Sequence, residues 1–101
     1  MSDEEIVVKL DRRLVDLAPK FLAHCRLTVN EIREAIESDK LEIARRIGHS
    51  LIGTAGSYGF DEIHLLGEEI ERAARAGDME ELRKLAERLE NYVARVRPAF
   101  G

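Results

Sequence analysis

The sequence predicts an all-α fold: an antiparallel up-down four-helix bundle preceded by a short N-terminal extension. Three observations carry that expectation. Hydrophobic residues fill 45% of the 101 positions but aromatic ones only 5%, with no tryptophan. A core built from Leu, Ile, Val and Ala suits close-packed helices better than a sheet. Apolar residues recur at three- and four-residue spacing through most of the chain, and charged residues, 36% of the total, occupy the intervening faces. Finally, the stretches between these stripes are only a few residues long, which makes successive helices antiparallel neighbours.

The elements follow in order. Residues 1–10, "MSDEEIVVKL", read as the extension, either a frayed extended arm or a lid over one end of a bundle that occupies residues 11–101. The first helix spans about residues 11–37, with Leu14, Leu17, Ala18, Phe21, Leu22, Cys25, Val29, Ile32 and Ile36 on one stripe. Pro19 falls inside it and predicts a kink, or a short leading helix before a longer one. The second helix begins at "DKLE" and the fourth at "DMEE". In each an aspartate precedes a glutamate by three places (Asp39 and Glu42, Asp78 and Glu81), a start signal of the capping-box kind. The third helix covers about residues 61–76, with Ile63, Leu66, Ile70, Ala73 and Ala74 inward and Gly77 as its C-cap. The fourth covers about residues 79–97 on Leu82, Leu85, Ala86, Leu89, Val93 and Val96, and Pro98 ends it.

Bulk properties exclude several function classes. The length allows one domain. A net charge of −4 leaves no cationic excess to displace counterions from phosphates, so nucleic acid is not the expected partner. No apolar run reaches the length of a membrane span, and the N-terminus lacks the basic region of a signal peptide. Cys25 is the sole cysteine, too few for a disulfide framework or a thiolate cluster. The expectation is a cytoplasmic monomer, and the start at Met1 with a short polar lead suggests a free-standing protein.

The chemistry concentrates in "RRIGHSLIGTAGSYGF", residues 45–60. Winding the second helix at about 100° per residue sends Leu41, Ala44, Ile47, Gly48, Leu51 and Ala55 inward. His49 falls on the opposite side, with Glu42, Arg45, Arg46, Gly53 and Gly56. Glycine inside a helix costs about 0.5–1 kcal/mol relative to alanine, so Gly53 and Gly56, one and two turns past His49, need a reason. Bare backbone there opens a track along which a bulky partner can bring a reactive group up to the imidazole. Close helix packing is the other explanation, and it fits the inward Gly67 better than these two outward glycines. A neutral imidazole is a nucleophile as well as a base. Phosphoryl transfer needs such a reachable nitrogen, in-line room and nearby positive charge, which Arg45 and Arg46 supply one turn away. General-base work needs an orienting carboxylate, and this face offers only Glu42. "GTAGSYG" is not a phosphate loop, since no strand precedes it and no lysine–serine/threonine pair follows.

The stretch "IGHSLIGTAGSYGF" strongly resembles the phosphohistidine motif of histidine-containing phosphotransfer (HPt) domains, the carriers of bacterial multistep phosphorelays. His49, Leu51, Gly53, Ala55, Gly56, Gly59 and Phe60 match the family pattern. "IHLLGEEIERAARAGD" is similar to the family's next helix and "LVDLAPKFL" to its N-terminal approach, so the resemblance runs from about residue 11 to 96. It implies that His49 takes a phosphoryl group, on the ring nitrogen farther from the backbone, from a receiver-domain aspartate and passes it to another receiver. Those receivers belong to response regulators or hybrid histidine kinases. It further implies no intrinsic kinase activity and no cofactor in this chain, with Mg2+ held by the partner receiver.

One position departs from the family. Three residues after the histidine, where a lysine is usual, stands Ile52. Two readings follow: a carrier in which Arg45 or Arg46 replaces the lysine, or a receiver- or kinase-binding module with reduced or lost transfer. The first is favoured because the histidine and its glycine track are intact. Ile52, Tyr58 and the off-stripe Leu65 are candidates for an apolar docking patch, against the plainer view that isolated exposed apolar residues need no explanation. His64, with Asp61 and Glu68 on its face, reads as part of a solvated surface rather than a metal site, and three histidines on separate faces cannot assemble a hydrolytic centre.

Overall fold

A computed structural model describes residues 4–101 of the chain; residues 1–3 of the expected extension lie outside that range. The described chain runs β1 (Ile6–Leu10), a 3-10 turn (Arg12–Leu14), α1 (Leu17–Glu37), α2 (Leu41–Tyr58), α3 (Asp61–Ala76), α4 (Met79–Arg95) and β2 (Val96–Phe100). The four helices close a ring in which α1 packs on α2 and α4 and α3 packs on α2 and α4, with α2 and α3 in the most extensive contact. Their apolar stripes meet in one core, where Ile32, Ile63, Leu66, Ile70, Leu82, Leu85 and Leu89 are almost completely removed from solvent. Each such side chain contributes about 1.5–3 kcal/mol of burial free energy. The few aromatics gather at one end, where the Phe21 ring lies 5.0 Å from that of Tyr58 and 5.5 Å from that of Phe60. No helix of the described residues is long and apolar enough to cross a membrane.

Helix starts and stops explain the tight turns. Pro19 does not kink α1. It occupies the first turn, where its missing N–H has no intrahelical role, and the 3-10 turn is the short leading piece. Three helices end in the same way, with a left-handed residue and a back-bond from the next N–H. Lys40 N–H reaches the Ala35 carbonyl at 2.8 Å, Phe60 that of Ala55 at 3.0 Å and Asp78 that of Ala73 at 3.0 Å. The left-handed residues are Asp39 (φ 55°), Gly59 (φ 91°) and Gly77 (φ 71°). Asp39 does not cap α2, against the expectation from its spacing to Glu42. Instead it terminates α1, and Lys40 precedes α2 without a side-chain cap. Asp78 does cap α4, its carboxylate accepting from the Glu81 N–H at 3.0 Å.

The two ends of the chain also depart from the sequence reading. The helix expected to continue to Arg97 stops at Arg95, and Val96–Phe100 turns extended to pair in parallel with Ile6–Leu10, Ile6 opposite Val96 and Leu10 opposite Phe100. In β1 the inward residues Ile6, Val8 and Leu10 alternate with exposed Val7 and Lys9, so one face of this two-stranded ribbon covers the bundle end. Pro98 sits inside β2 rather than after a helix, a place open to proline because the strand is an edge.

Candidate functional site

The site forms where α2 and α3 approach most closely, and two glycines permit that approach. A Cβ on Gly48 would lie 2.6 Å from the Glu71 backbone nitrogen and 2.8 Å from the Gly67 carbonyl oxygen. A Cβ on Gly67 would lie 2.9 Å from the Gly48 carbonyl oxygen and 3.0 Å from the Leu51 Cβ. Backbone therefore meets backbone, and residues flanking this crossing on the two helices are brought within reach of one another.

His49 and Glu71 are such a pair. The imidazole stands on α2 with 73% of its side chain exposed, while the Glu71 side chain on α3 is only 14% exposed. Their His49 Nδ1–Glu71 Oε2 distance is 3.1 Å. A carboxylate can only accept, so Nδ1 carries a proton, which in the neutral ring leaves the lone pair on Nε2. The same Oε2 draws two guanidiniums, Arg45 at 3.7 Å and Arg75 at 3.4 Å. Arg45 is held more firmly elsewhere, donating to both oxygens of Glu42 at 2.9 and 2.6 Å. That fork keeps the Glu42 carboxyl below the usual carboxylate range and raises the Arg45 guanidinium. Arg46, 74% exposed, approaches Glu42 at 3.6 Å.

The glycines past His49 differ from each other. Around Gly53 an added Cβ would meet nothing within 4 Å. Side chains on a helix lean toward its N-terminus, so a larger residue at 53 would reach back alongside the His49 ring. Gly56 is not open in the same sense, because its bare side faces the His64 ring: a Cβ there would stand 3.3 Å from the His64 Nδ1. That imidazole crosses from α3 to donate from Nδ1 to the Ile52 carbonyl at 2.8 Å, with Glu68 3.4 Å from its Nε2. His64 thus belongs to the α2–α3 seam, not to a plain solvated face as expected.

Of the apolar docking candidates, Leu65 is 52% exposed and Ile52 is half-buried. Tyr58 is half-buried and packs in a T-shaped arrangement with Phe21 of the core. The sequence reading missed Glu71 and Arg75, which lie on another helix 22 and 26 positions after His49. Their one signal was position: both follow the inward Gly67 on its own helix face, at four and eight residues.

What the arrangement offers is one exposed imidazole nitrogen, a carboxylate fixing the tautomer from behind, open backbone on one flank and guanidiniums on the other. No curated protein and no solved structure is significantly similar to the chain. A family model, described as Hpt domain, matches residues 16–99. It spans all four helices and includes the helix pair that carries His49, so the chain belongs to the Hpt domain family.

Proposed function

We propose that His49 carries a phosphoryl group between receiver domains of a two-component phosphorelay. As an Hpt domain the chain is a histidine phosphotransfer module; the acceptor, its chemistry and its partners are the proposed part. One observation supports it above the rest: Nδ1 is held by Glu71 at 3.1 Å on a ring that is 73% exposed. In the neutral ring Nε2 is then the unprotonated nitrogen and the nucleophile, and no base has to remove a proton from it.

In the transfer, Nε2 donates its lone pair to the phosphorus of a receiver aspartyl phosphate. The N–P bond forms as the P–O bond to the aspartate breaks, and the carboxylate leaves with that electron pair. The ring gains positive charge, which the Glu71 carboxylate beside Nδ1–H offsets. Return to a second receiver runs the same exchange backwards. Open backbone at Gly53 leaves room for the donor in line, and the Mg2+ bound by the receiver supplies charge on the phosphoryl side. Ile52 and Leu65 offer apolar contact for the docked receiver, and Gly56 lets the His64 ring seat between the helices.

The test is phosphotransfer from a panel of phosphorylated receiver domains to the wild type and to His49→Gln. A label stable in base and labile in acid on the wild type, and none on the variant, is expected. Receivers that bind the wild type and never label it would overturn the carrier reading in favour of a docking module that has lost its chemistry, the outcome that Ile52 in place of the family lysine makes worth testing.

A further inference from the structure

We infer that Arg75, on α3, is the residue that neutralises the phosphoryl group on His49, the positive charge that Ile52 does not provide; the inference rests on His49 being the acceptor. Arg45 and Arg75 both approach the Glu71 oxygen that bonds the ring, Arg46 approaches Glu42, and their engagements separate them. Side chains of a helix lean toward its N-terminus. Arg45 and Arg46 precede His49 on α2 and both close on Glu42, although the Arg45 guanidinium also comes within 3.7 Å of the Glu71 oxygen that bonds the ring. Arg75 lies one turn after Glu71 on the antiparallel α3. Its side chain therefore leans back toward Glu71, and so toward the imidazole that Glu71 holds.

Commitment separates them too. Arg45 makes two short charge-assisted bonds to Glu42, at 2.9 and 2.6 Å, and is 30% exposed. Arg75 has a single long contact to Glu71, at 3.4 Å, and is 63% exposed. Releasing Arg75 from that carboxylate costs little, because a 3.4 Å contact made by a 63% exposed side chain is long and weak. A phosphoryl group on Nε2 brings close to two negative charges and three acceptor oxygens. Against it, Glu71 keeps the Nδ1–H and loses the guanidinium. Arg75 then moves from carboxylate to phosphoryl, a short swing about the Glu71 oxygen that His49 and Arg75 already share. The uncharged Ile52 side chain, on the same turn as His49, neither competes for the phosphoryl oxygens nor repels the incoming guanidinium.

The experiment uses phosphoramidate as a small phosphoryl donor, so that no receiver has to be identified. Its P–N bond breaks, ammonia leaves, and Nε2–P forms on His49. The full chain is compared with Arg75→Ala, Arg75→Lys and Arg45→Ala, each checked for native helicity by circular dichroism. Labelling is followed by phosphorus NMR, and the Arg75 Nε–H by nitrogen NMR before and after. Phosphorylation is expected to shift the Arg75 Nε–H resonance. Arg75→Ala should label about tenfold more slowly, the scale of one charge-assisted hydrogen bond. Arg75→Lys should recover most of the rate, and Arg45→Ala should slow labelling clearly less than Arg75→Ala does. A wild type that labels while Arg75→Ala keeps pace, or while Arg45→Ala slows as much, overturns the inference and leaves the carrier function standing. A wild type that acquires no label on His49 overturns both.

Discussion

Gly48→Ala tests how tightly the site depends on the α2–α3 crossing. The added Cβ would lie 2.6 Å from the Glu71 nitrogen and 2.8 Å from the Gly67 oxygen. Ordinary contact begins near 3.4 Å, so one helix must retreat by about 0.8 Å, and neither neighbour is a flexible side chain that could yield alone. Overpacking of a well-filled site costs about 1–3 kcal/mol, and backbone neighbours on two sides place this one near the upper end. Alanine returns about 1 kcal/mol through its helix propensity, leaving a net loss of about 2 kcal/mol. For a domain of this size that lowers the melting temperature by roughly 10 °C. Thermal unfolding followed by circular dichroism reads it directly, with Gly53→Ala as the matched control because nothing lies within 4 Å of its Cβ. The same retreat stretches the 3.1 Å bond between His49 and Glu71, so labelling of His49 should slow as well. A Gly48→Ala protein that melts at or above the wild-type temperature would refute the reasoning.

Other outcomes follow from single positions. Gly53→Ala should gain about 0.5–1 kcal/mol in urea unfolding by helix propensity alone, whereas Gly53→Leu, reaching back over the imidazole, should cut transfer from a receiver while the fold stays intact. Asp39→Gly should stabilise by about 1 kcal/mol, since Asp39 holds a left-handed φ of 55° that glycine adopts without strain; an unchanged urea midpoint would count against the strain. Burial pushes the Cys25 thiol from its ordinary 9.0 up to about 12. Between these values the unfolded chain has released the proton that the folded chain retains, so this group makes stability fall as pH rises from about 9 toward 12. Cys25→Ala should therefore show a shallower drop in urea midpoint between about pH 8.5 and 10.5 than the wild type, and equal slopes would argue against the burial.

How much of this was legible in the sequence depended on the range of the interaction. Ile63, Leu66 and Ile70 announce the inward face of α3 through their spacing alone, and the structure buries them. Likewise the Asp78 cap is a contact across three residues and was readable. Asp39 carried the same local pattern, yet the turn between α1 and α2 needed a left-handed residue there, and that demand won over capping. Glu71 was invisible for a different reason. A helical wheel assigns a face to His49 but says nothing of what the neighbouring helix brings beside it. The β1–β2 pairing joins residues about 90 positions apart. Val8 and Leu10 carried a two-residue alternation, but nothing local to Val96–Phe100 named its partner.

The spacing of glycines along α2 explains how one helix serves two opposite needs. On its inner flank Gly48 removes a side chain so that α3 comes close, and that closeness delivers the half-buried Glu71 to Nδ1. On its outer flank Gly53 removes a side chain so that nothing comes close, which leaves the room that the proposed transfer to Nε2 needs. A bulkier residue at 48 would loosen the His49–Glu71 bond, and one at 53 would crowd the proposed nucleophile. The helix therefore accepts about 0.5–1 kcal/mol of propensity loss at each position. The two costs have separate returns, and they should separate in experiment. Substitution at 48 acts on stability and on the chemistry together, through the α2–α3 distance. Substitution at 53 adds helix propensity and touches the chemistry only through access, so Gly53→Ala should leave labelling by a small donor near the wild-type rate while bulk slows transfer from a receiver. If Gly53→Leu slowed both donors equally, the open flank would be serving the ring itself and not the partner.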